Sequence, residues 1–234
     1  MSLADLPSSL LATNPRPKRW SEAEFSLLIE RGVLQPDAAE LLGGAIFRPA
    51  ARSRAETERP WTRTEYYRLG ELGFFSHERV QLIDGEIFIM LPQNPPHAVT
   101  VKIVEKVLER LFGDGYSSRA QLPLDLGQTQ EPEPDVAIVV GNPRDYLNEH
   151  PQGAALVVEV ADSTLAFDRK KKGLLYARAG IADYWIVNLI DGCLEVYRRP
   201  TKDGYRQRTV HEPDEMIAPL KLPQQSILVS ELLP

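Results

Sequence analysis

The chain has 234 residues, of which 43% are hydrophobic and 26% charged, values typical of a folded α/β domain with an accessory segment. Its single cysteine, Cys193, excludes an internal disulfide and a thiolate zinc cluster, and its net charge of -6 argues against coating nucleic acid with an all-round basic surface. Because no apolar run approaches the roughly 20 residues that cross a bilayer, and the N-terminus shows no signal-peptide pattern, we expect a cytoplasmic protein without a membrane partner.

The N-terminal part of the chain contains an internal repeat with an offset of 41 residues. The matching residues of the two copies are Trp20 and Trp61, Glu24 and Glu65, Gly32 and Gly73, Leu41 and Leu82, Gly44 and Gly85, Ile46 and Ile87, and Phe47 and Phe88. Each copy is predicted to begin with a helix capped by Ser21 or Thr62 and to continue into a strand hairpin. Such a unit cannot bury both of its faces alone, so the first copy must pack against another element or another chain.

This repeat leads to a predicted division of the chain into four parts. We expect a flexible arm, a truncated first copy, a polar linker and a main domain that starts with the second copy, over residues 1–18, 19–50, 51–59 and 60–234. Because the first copy lacks the strands that follow the second, we interpret it as a structural element that limits substrate access.

The main domain has the sequence pattern of a sheet flanked by helices. Apolar residues at helical spacing predict a core-facing helix over 97–112, and a second helix is predicted over 168–179. Strands are predicted at residues 121–126, 135–140, 154–161, 182–189 and 193–199, with a last strand and a short tail at 226–233 that complete the sheet. Continuous apolar runs in this set are typical of central strands buried on both faces.

Two acidic residues stand out because their neighbours are apolar. Asp135 precedes the run VAIVV, and Glu159 lies inside LVVEV. A buried carboxylate is costly unless a cation compensates its charge. Because neighbouring strands can bring such side chains together, and oxygen ligands favour Mg²⁺ or Mn²⁺, the two acids predict a metal site. The alternative for Asp135 is a structural carboxylate at the start of a strand.

The run from Asp168 to Lys172 supplies a candidate cation. Lys172 is four residues from both Asp168 and Tyr176, so it shares a helix face with a residue that packs inward. A lysine beside a metal site can orient a water nucleophile and stabilise charge on phosphoryl oxygens, which predicts phosphodiester hydrolysis. The alternative is an exposed lysine that only pairs with Asp168. Residues 168–208 contain ten Lys and Arg against five Asp and Glu, which indicates either a phosphate-binding region or solvated faces.

An ordered set of motifs over roughly residues 60–200 resembles the Uma-two family of the PD-(D/E)XK nuclease superfamily. The motifs are QLIDGEI, Pro92, His97, Pro134-Asp135, Val158-Glu159-Val160, Ser163-Thr164, Asp168, Lys172, Tyr176-Ala177, Gly180-Ile181 and Asp183-Tyr184-Trp185. The resemblance implies an α/β (α+β) restriction-endonuclease-like core, in which helices flank a central mixed sheet with a metal site at its edge. It also implies endonuclease activity on DNA.

The resemblance further implies roles for individual residues. The catalytic set is Asp135, Glu159 and Lys172, and the metal ligands are the two acids and the backbone carbonyl of Val160, with Glu86 as a further candidate. The candidate substrate-binding residues are His97, Lys170, Lys171 and Gln81. For His97, a helix cap or another structural role is the alternative.

Two positions depart from the expected pattern. The superfamily's usual lysine would lie at Ala161, and the family pattern has it at Lys172 instead; the family pattern also favours Glu where this chain has Gln81, which loses a charge. The leading hypothesis is a Mg²⁺- or Mn²⁺-dependent DNA endonuclease, expected to form a homodimer for a paired cut. The alternatives are a catalytically weakened nucleic-acid-binding or interaction module, and a metal hydrolase for another phosphodiester.

Overall fold

The computed structural model describes residues 15–49 and 58–234. Most of the predicted arm at 1–18 and of the predicted linker at 51–59 lies outside these residues. Contacts divide the chain into an N-terminal unit, Arg16–Met90 with Gly127–Glu131, and a C-terminal unit, which includes Leu91–Leu126 and Pro132–Pro234. Among the described helices, none has the length and apolar character needed to cross a bilayer.

The N-terminal unit contains two short helices and two strand hairpins. Its elements are β1 (Arg16–Pro17), α1 (Glu22–Glu30), β2 (Glu40–Leu42), β3 (Ala45–Phe47), α2 (Arg63–Glu71), β4 (Val80–Ile83) and β5 (Glu86–Ile89). Both predicted helix caps are present as capping boxes: Ser21 accepts a hydrogen bond from the backbone N–H of Glu24, and Thr62 does so from that of Glu65. Each helix therefore begins where the sequence predicts.

The C-terminal unit is built on a six-stranded mixed sheet. Its strands are β6 (Tyr116–Arg119), β7 (Val136–Val140), β8 (Leu156–Ala161), β9 (Asp183–Asn188), β10 (Cys193–Thr201) and β11 (Gly204–His211). They lie in the order β11-β10-β9-β8-β7-β6, and all neighbours are antiparallel except β8 and β9. Every residue of β8 and β9 is buried, as expected of central strands covered on both faces. The expected central mixed sheet is confirmed, although its two edge strands, β6 and β11, were not predicted.

The long helix α3 spans Pro95–Phe112 and joins the core of this sheet through the apolar face that the sequence predicts. Its buried apolar residues are Val101, Val104, Val107, Leu108 and Phe112. The Asn94 side chain caps the helix by accepting a hydrogen bond from the backbone N–H of His97 at 3.0 Å. This cap places His97 in the first helical turn.

The second predicted helix, at 168–179, is part of a longer helical segment. The segment consists of α4 (Leu165–Phe167), a π-helical turn (Asp168–Lys172) and α5 (Gly173–Arg178). The backbone carbonyl of Asp168 accepts the hydrogen bond of the Gly173 N–H across this wide turn and a second one from the Tyr184 hydroxyl at 3.1 Å. A Cβ at Gly173 would lie 3.3 Å from this carbonyl oxygen, so glycine fits the crowded turn.

Two strand predictions were wrong. Residues 121–126 form no strand, because Gln121 has a φ of 55° and Pro123 has no backbone N–H to donate to a ladder. The last strand does not complete the main sheet; β13 (Ile227–Leu228) pairs instead with β12 (Met216–Ile217) in a separate two-stranded sheet. A single turn of 3-10 helix, Val229–Leu232, follows it and buries Val229 and Leu232 in the core.

Candidate active site

The pairing of β7 with β8 brings Asp135 and Glu159 together. Val136 is the register partner of Val158, so the residues at the adjoining strand ends are neighbours. The backbone N–H of Asp135 donates to Glu159 Oε2 at 3.3 Å, and that of Val160 donates to Asp135 Oδ2 at 2.9 Å. Both carboxylates are buried, with 8% of Asp135 and 1% of Glu159 exposed.

The helical segment after β8 adds Lys172 to these acids. Lys172 Nζ lies 2.8 Å from Glu159 Oε2 and 3.9 Å from Asp168 Oδ1. The residue is only 4% exposed, so the alternative of a solvent-exposed lysine is wrong. One turn later, the Tyr176 hydroxyl donates to Glu159 Oε1 at 2.7 Å. The two oxygens of Glu159 therefore have different partners.

Three further polar side chains hold the carboxylates in place. His97 Nε2 lies 3.2 Å from Asp135 Oδ2, and the Gln121 side-chain amide donates to Asp135 Oδ1 at 3.2 Å. The Thr164 hydroxyl donates to Asp168 Oδ2 at 2.5 Å. His97 is thus both capped by Asn94 through its backbone and joined to Asp135 through its ring. Its structural role does not exclude a role in the site.

The acids of this cluster have different pKa values. Burial favours the neutral form of Asp135, but the hydrogen bond with His97 and the charge of Lys172 outweigh it and lower the pKa of Asp135 to about 2. Burial raises the pKa of Glu159 to about 8 although Lys172 opposes the shift, and raises that of Asp168 to about 6 against Lys172 and Thr164. Burial is the main cause of both upward shifts, and the one lysine shared by these carboxylates does not cancel it.

The charge balance of this cluster indicates whether a divalent cation fits it. Lys172 and protonated His97 together bring two positive charges to three carboxylates, so full ionisation leaves net negative charge in a buried place. Within 15–49 and 58–234, no three His, Cys, Asp or Glu side chains form a ready metal-binding group. Two carboxylates with backbone and water oxygens are the donor set that remains, and it suits Mg²⁺.

A comparison with known protein families decides the classification. The family Uma2, described as "Putative restriction endonuclease", matches residues 63–230. The chain belongs to the Uma2 family. Among similar solved structures is a protein of Anabaena variabilis described as a "putative nuclease belonging to DUF820". It is 17% identical, with a TM-score of 0.59, over 74% of this chain and 97% of that one.

At this identity the structural similarity shows the fold alone, and it agrees with the nuclease-like core expected from the motifs. No curated protein matches the chain in sequence. The Uma2 description supports a nuclease, a hydrolase that acts on nucleic acid.

Four further residues of this Uma2 chain were expected to bind substrate or metal. Lys170 is exposed and Lys171 half-buried. Gln81 on β4 and Glu86 on β5 belong to the N-terminal unit. Their roles in substrate or metal binding stay predictions. Ala161 ends β8 and is buried, at the place where the superfamily's usual lysine would stand.

The sequence reasoning missed several members of the site. Asp168 was treated as a helix partner of Lys172, yet it is 2% exposed and belongs to the buried cluster. Tyr176 was treated as a packing residue, Thr164 appeared within a family motif without a role of its own, and Gln121 was not considered as a site residue. The spacing of four residues from Asp168 to Lys172 and from Lys172 to Tyr176 was a signal that Asp168 and Tyr176 lie near Lys172. No local pattern marks Gln121, because its contact with Asp135 depends on the turn before β7.

Proposed function

We propose that this chain is a Mg²⁺- or Mn²⁺-dependent endonuclease that hydrolyses phosphodiester bonds of DNA. The observation that carries the proposal is the meeting of Asp135, Glu159 and Lys172 in one buried cluster. Their chemistry suits this reaction, since two acids can hold a hard cation and an amine can handle a developing phosphoryl charge. Membership of the Uma2 family supports the choice of nucleic acid as the substrate.

Asp135, Glu159 and the backbone carbonyl of Val160 are the proposed metal ligands, with Glu86 as a further candidate. The ion would supply Lewis acidity toward the phosphoryl group. Asp135 is prepared for this role because His97 and Lys172 keep its carboxyl ionised. Tyr176 restricts the Glu159 carboxylate by donating to Oε1, which leaves Oε2 as the oxygen directed toward Lys172 and the backbone of Asp135.

Lys172 is the proposed residue that orients the attacking water and stabilises the phosphoryl oxygens. Its ammonium group stays protonated, because the nearby acids outweigh burial and raise its pKa. It therefore acts as a cation and a hydrogen-bond donor. A lysine placed on a helix in this way can replace the lysine that the superfamily carries two residues after the second acid.

The proposed DNA contacts come from His97, Gln81 and the basic stretch of residues 168–208, which includes Lys170 and Lys171. Phosphate contacts position a duplex and give affinity without reading its sequence. A paired cut of both strands would need two sites, and we propose a homodimer for that purpose.

A weakened enzyme that binds nucleic acid without cutting it is the second candidate. It is favoured by Gln81, which provides no charge where the family pattern has Glu, and by the engagement of both Glu159 oxygens within the chain. A third reading, a metal hydrolase for another phosphodiester, would give metal-dependent activity without cutting of nucleic acid.

Plasmid cutting separates these functions. Purified wild-type protein, Glu159→Gln and Lys172→Met are incubated with supercoiled plasmid and Mn²⁺, beside Lys102→Ala as an exposed lysine control on α3. The endonuclease proposal predicts nicking by wild type and Lys102→Ala only. Shifted but uncut plasmid with all proteins would support the binding module. Equal background cutting by all four would contradict the endonuclease, and parallel reactions on RNA test the preference for DNA.

A further inference from the structure

The N-terminal unit contains two segments that make the same contacts 41 residues apart. We define the first copy as residues 16–47 and the second as residues 58–88, and each is called a helix–hairpin module. In both, the residue before the helix is a tryptophan whose backbone N–H donates into the hairpin turn: Trp20 to Gly44 O at 2.8 Å and Trp61 to Gly85 O at 2.7 Å. Both turn glycines have positive φ, 79° and 73°.

The segment ahead of each helix, called the strap, is paired with the other copy. Pro17 is the register partner of Phe88, and Glu58 forms the equivalent bridge with Phe47. One residue later, the Lys18 N–H donates to Ile87 O at 2.7 Å, and the Arg59 N–H donates to Ile46 O at 2.8 Å. Each strap thus crosses to the hairpin of the opposite copy, and the exchange is reciprocal.

Equivalent residues also meet each other, which is the mark of a twofold relation. The rings of Trp20 and Trp61 lie 5.2 Å apart between centroids. The strap cations cover these rings, with Lys18 at 5.1 Å from the Trp20 centroid and Arg59 at 4.9 Å from that of Trp61. Each cation also pairs with a glutamate of the helix that follows it, Lys18 with Glu24 and Arg59 with Glu65.

We propose that the helix–hairpin module carries a self-association surface, made of the strap, the tryptophan and the hairpin, whose partner is another copy of the same module. An interface in which residue i meets j and j meets i accepts a second identical copy without further change. In this chain the first copy is a built-in partner. It occupies this surface of the second copy and keeps that surface from recruiting a second chain, so the proposed homodimer of the full chain forms through another surface.

The burial and the hydrogen bonds between the two copies indicate a stable interface. Trp20 and Trp61 are only 5% and 4% exposed, and Leu28 and Leu69 of the two helices are fully buried in the same apolar cluster. The strap N–H groups would lose their acceptors if the copies separated. A second copy exposed by such a separation would present an apolar patch and an unpaired strand edge, which favour association.

Cleavage of the full chain between the copies tests the proposal. A protease site is inserted after Pro49, the protein is cut, and the mass of the eluted species is measured by light scattering. We expect both pieces to elute together at the mass of the uncut protein. In a cut Lys18→Glu/Trp20→Asp double variant, we expect the small piece to be lost and the large piece to assemble with twice as many copies as the uncut protein has chains. Glu30→Lys, on the exposed side of α1, is the control and should behave as wild type.

The other outcomes of the cleavage experiment also support or contradict the proposed self-association surface. Two results contradict the proposal. In the first, the unsubstituted pieces separate and the large piece keeps the number of copies found in the uncut protein. In the second, the large piece keeps that number after the double variant has lost the small piece. Retention of the small piece in the double variant contradicts it too, because pairing would then not depend on these contacts. If the large piece aggregates, unsubstituted small piece is added: a return to the mass of the uncut protein supports the proposal, and continued aggregation overturns it.

Discussion

Lys172 Nζ lies 2.8 Å from Glu159 Oε2, and both residues are almost completely buried. A buried ion pair is rarely placed for stability alone, because desolvation of the two charges offsets most of their attraction. A second carboxylate, that of Asp168, competes with Glu159 for the same ammonium group. This competition keeps one acid short of a cation, and it is the physical basis of the metal site that we propose.

The Lys172→Met variant should lose cutting while keeping metal binding. Its side chain fills a similar space but cannot orient water or stabilise phosphoryl charge, so the initial rate of plasmid nicking should fall by about 10²- to 10³-fold. Mn²⁺ affinity should stay equal or rise, since a competing cation is gone. A variant that nicks plasmid at the wild-type rate would remove Lys172 from the mechanism.

Much of the fold was predictable because the central strands are long apolar runs. β7, β8 and β9 follow from VAIVV, LVVEV and YWIVN, and the meeting of the two acids follows from their places in neighbouring strands. The edge strands were missed for the opposite reason. β6 is half-buried and β11 alternates between half-buried and exposed residues, so neither carries an apolar run.

Other features of the site depend on packing that no local pattern records. Asp168 looks like part of a solvated charge run, but the π-helical turn at Asp168–Lys172 turns it inward. A π turn is selected by tertiary contacts, here the hydrogen bond that the Tyr184 hydroxyl donates to the Asp168 carbonyl. The sequence could therefore indicate Asp168 as the helix partner of Lys172, but not that both side chains are buried beside Glu159.

Thermal stabilisation by Mn²⁺ should increase with pH. Burial raises the pKa of Glu159 to about 8, so below that value the folded site tends to hold a proton. A metal ion must displace this proton, and its binding is therefore favoured as pH rises. The rise in Tm on adding Mn²⁺ should be larger at pH 9 than at pH 6, and Glu159→Gln should reduce the difference, which then keeps the contribution of Asp168. A Tm shift that falls with rising pH would contradict this account.

Glu195 should stabilise the fold only above acidic pH. Burial opposes its ionisation, but Arg169, Tyr197 and Arg208 donate to it and lower its pKa from 4.5 to about 2. A lowered folded pKa gives stability that is present above the unfolded value and is lost as pH falls toward the folded value. Glu195→Gln should cost roughly 3 kcal/mol at pH 7.

Urea unfolding from pH 7 down to pH 3 measures this effect. The difference between wild type and Glu195→Gln should shrink through the lower half of that range, while Glu212→Gln, at an exposed glutamate, should show little difference throughout. A Glu195→Gln deficit that is constant with pH would show that packing, and not the charge, is responsible.

Gly85→Ala should destabilise the N-terminal unit more than Gly43→Ala. Both glycines lie in hairpin turns with positive φ, 73° and 56°, so each substitution carries the left-handed cost of about 1 kcal/mol. A Cβ at Gly85 would in addition approach Pro60 Cβ to 2.6 Å, whereas one at Gly43 meets nothing within 4 Å. The crowding should add about 1 to 3 kcal/mol. Equal losses of Tm in the two variants would show that the strap moves freely.

The measurement that tests the central claim most directly is a Mn²⁺ titration of the full chain, followed by the electron paramagnetic resonance signal of the free ion. We expect wild type and Lys172→Met to bind about one ion per chain, and Asp135→Asn and Glu159→Gln each to weaken binding by at least about tenfold. Unchanged Mn²⁺ binding in both acid variants would contradict the claim that Asp135 and Glu159 form one metal site beside Lys172.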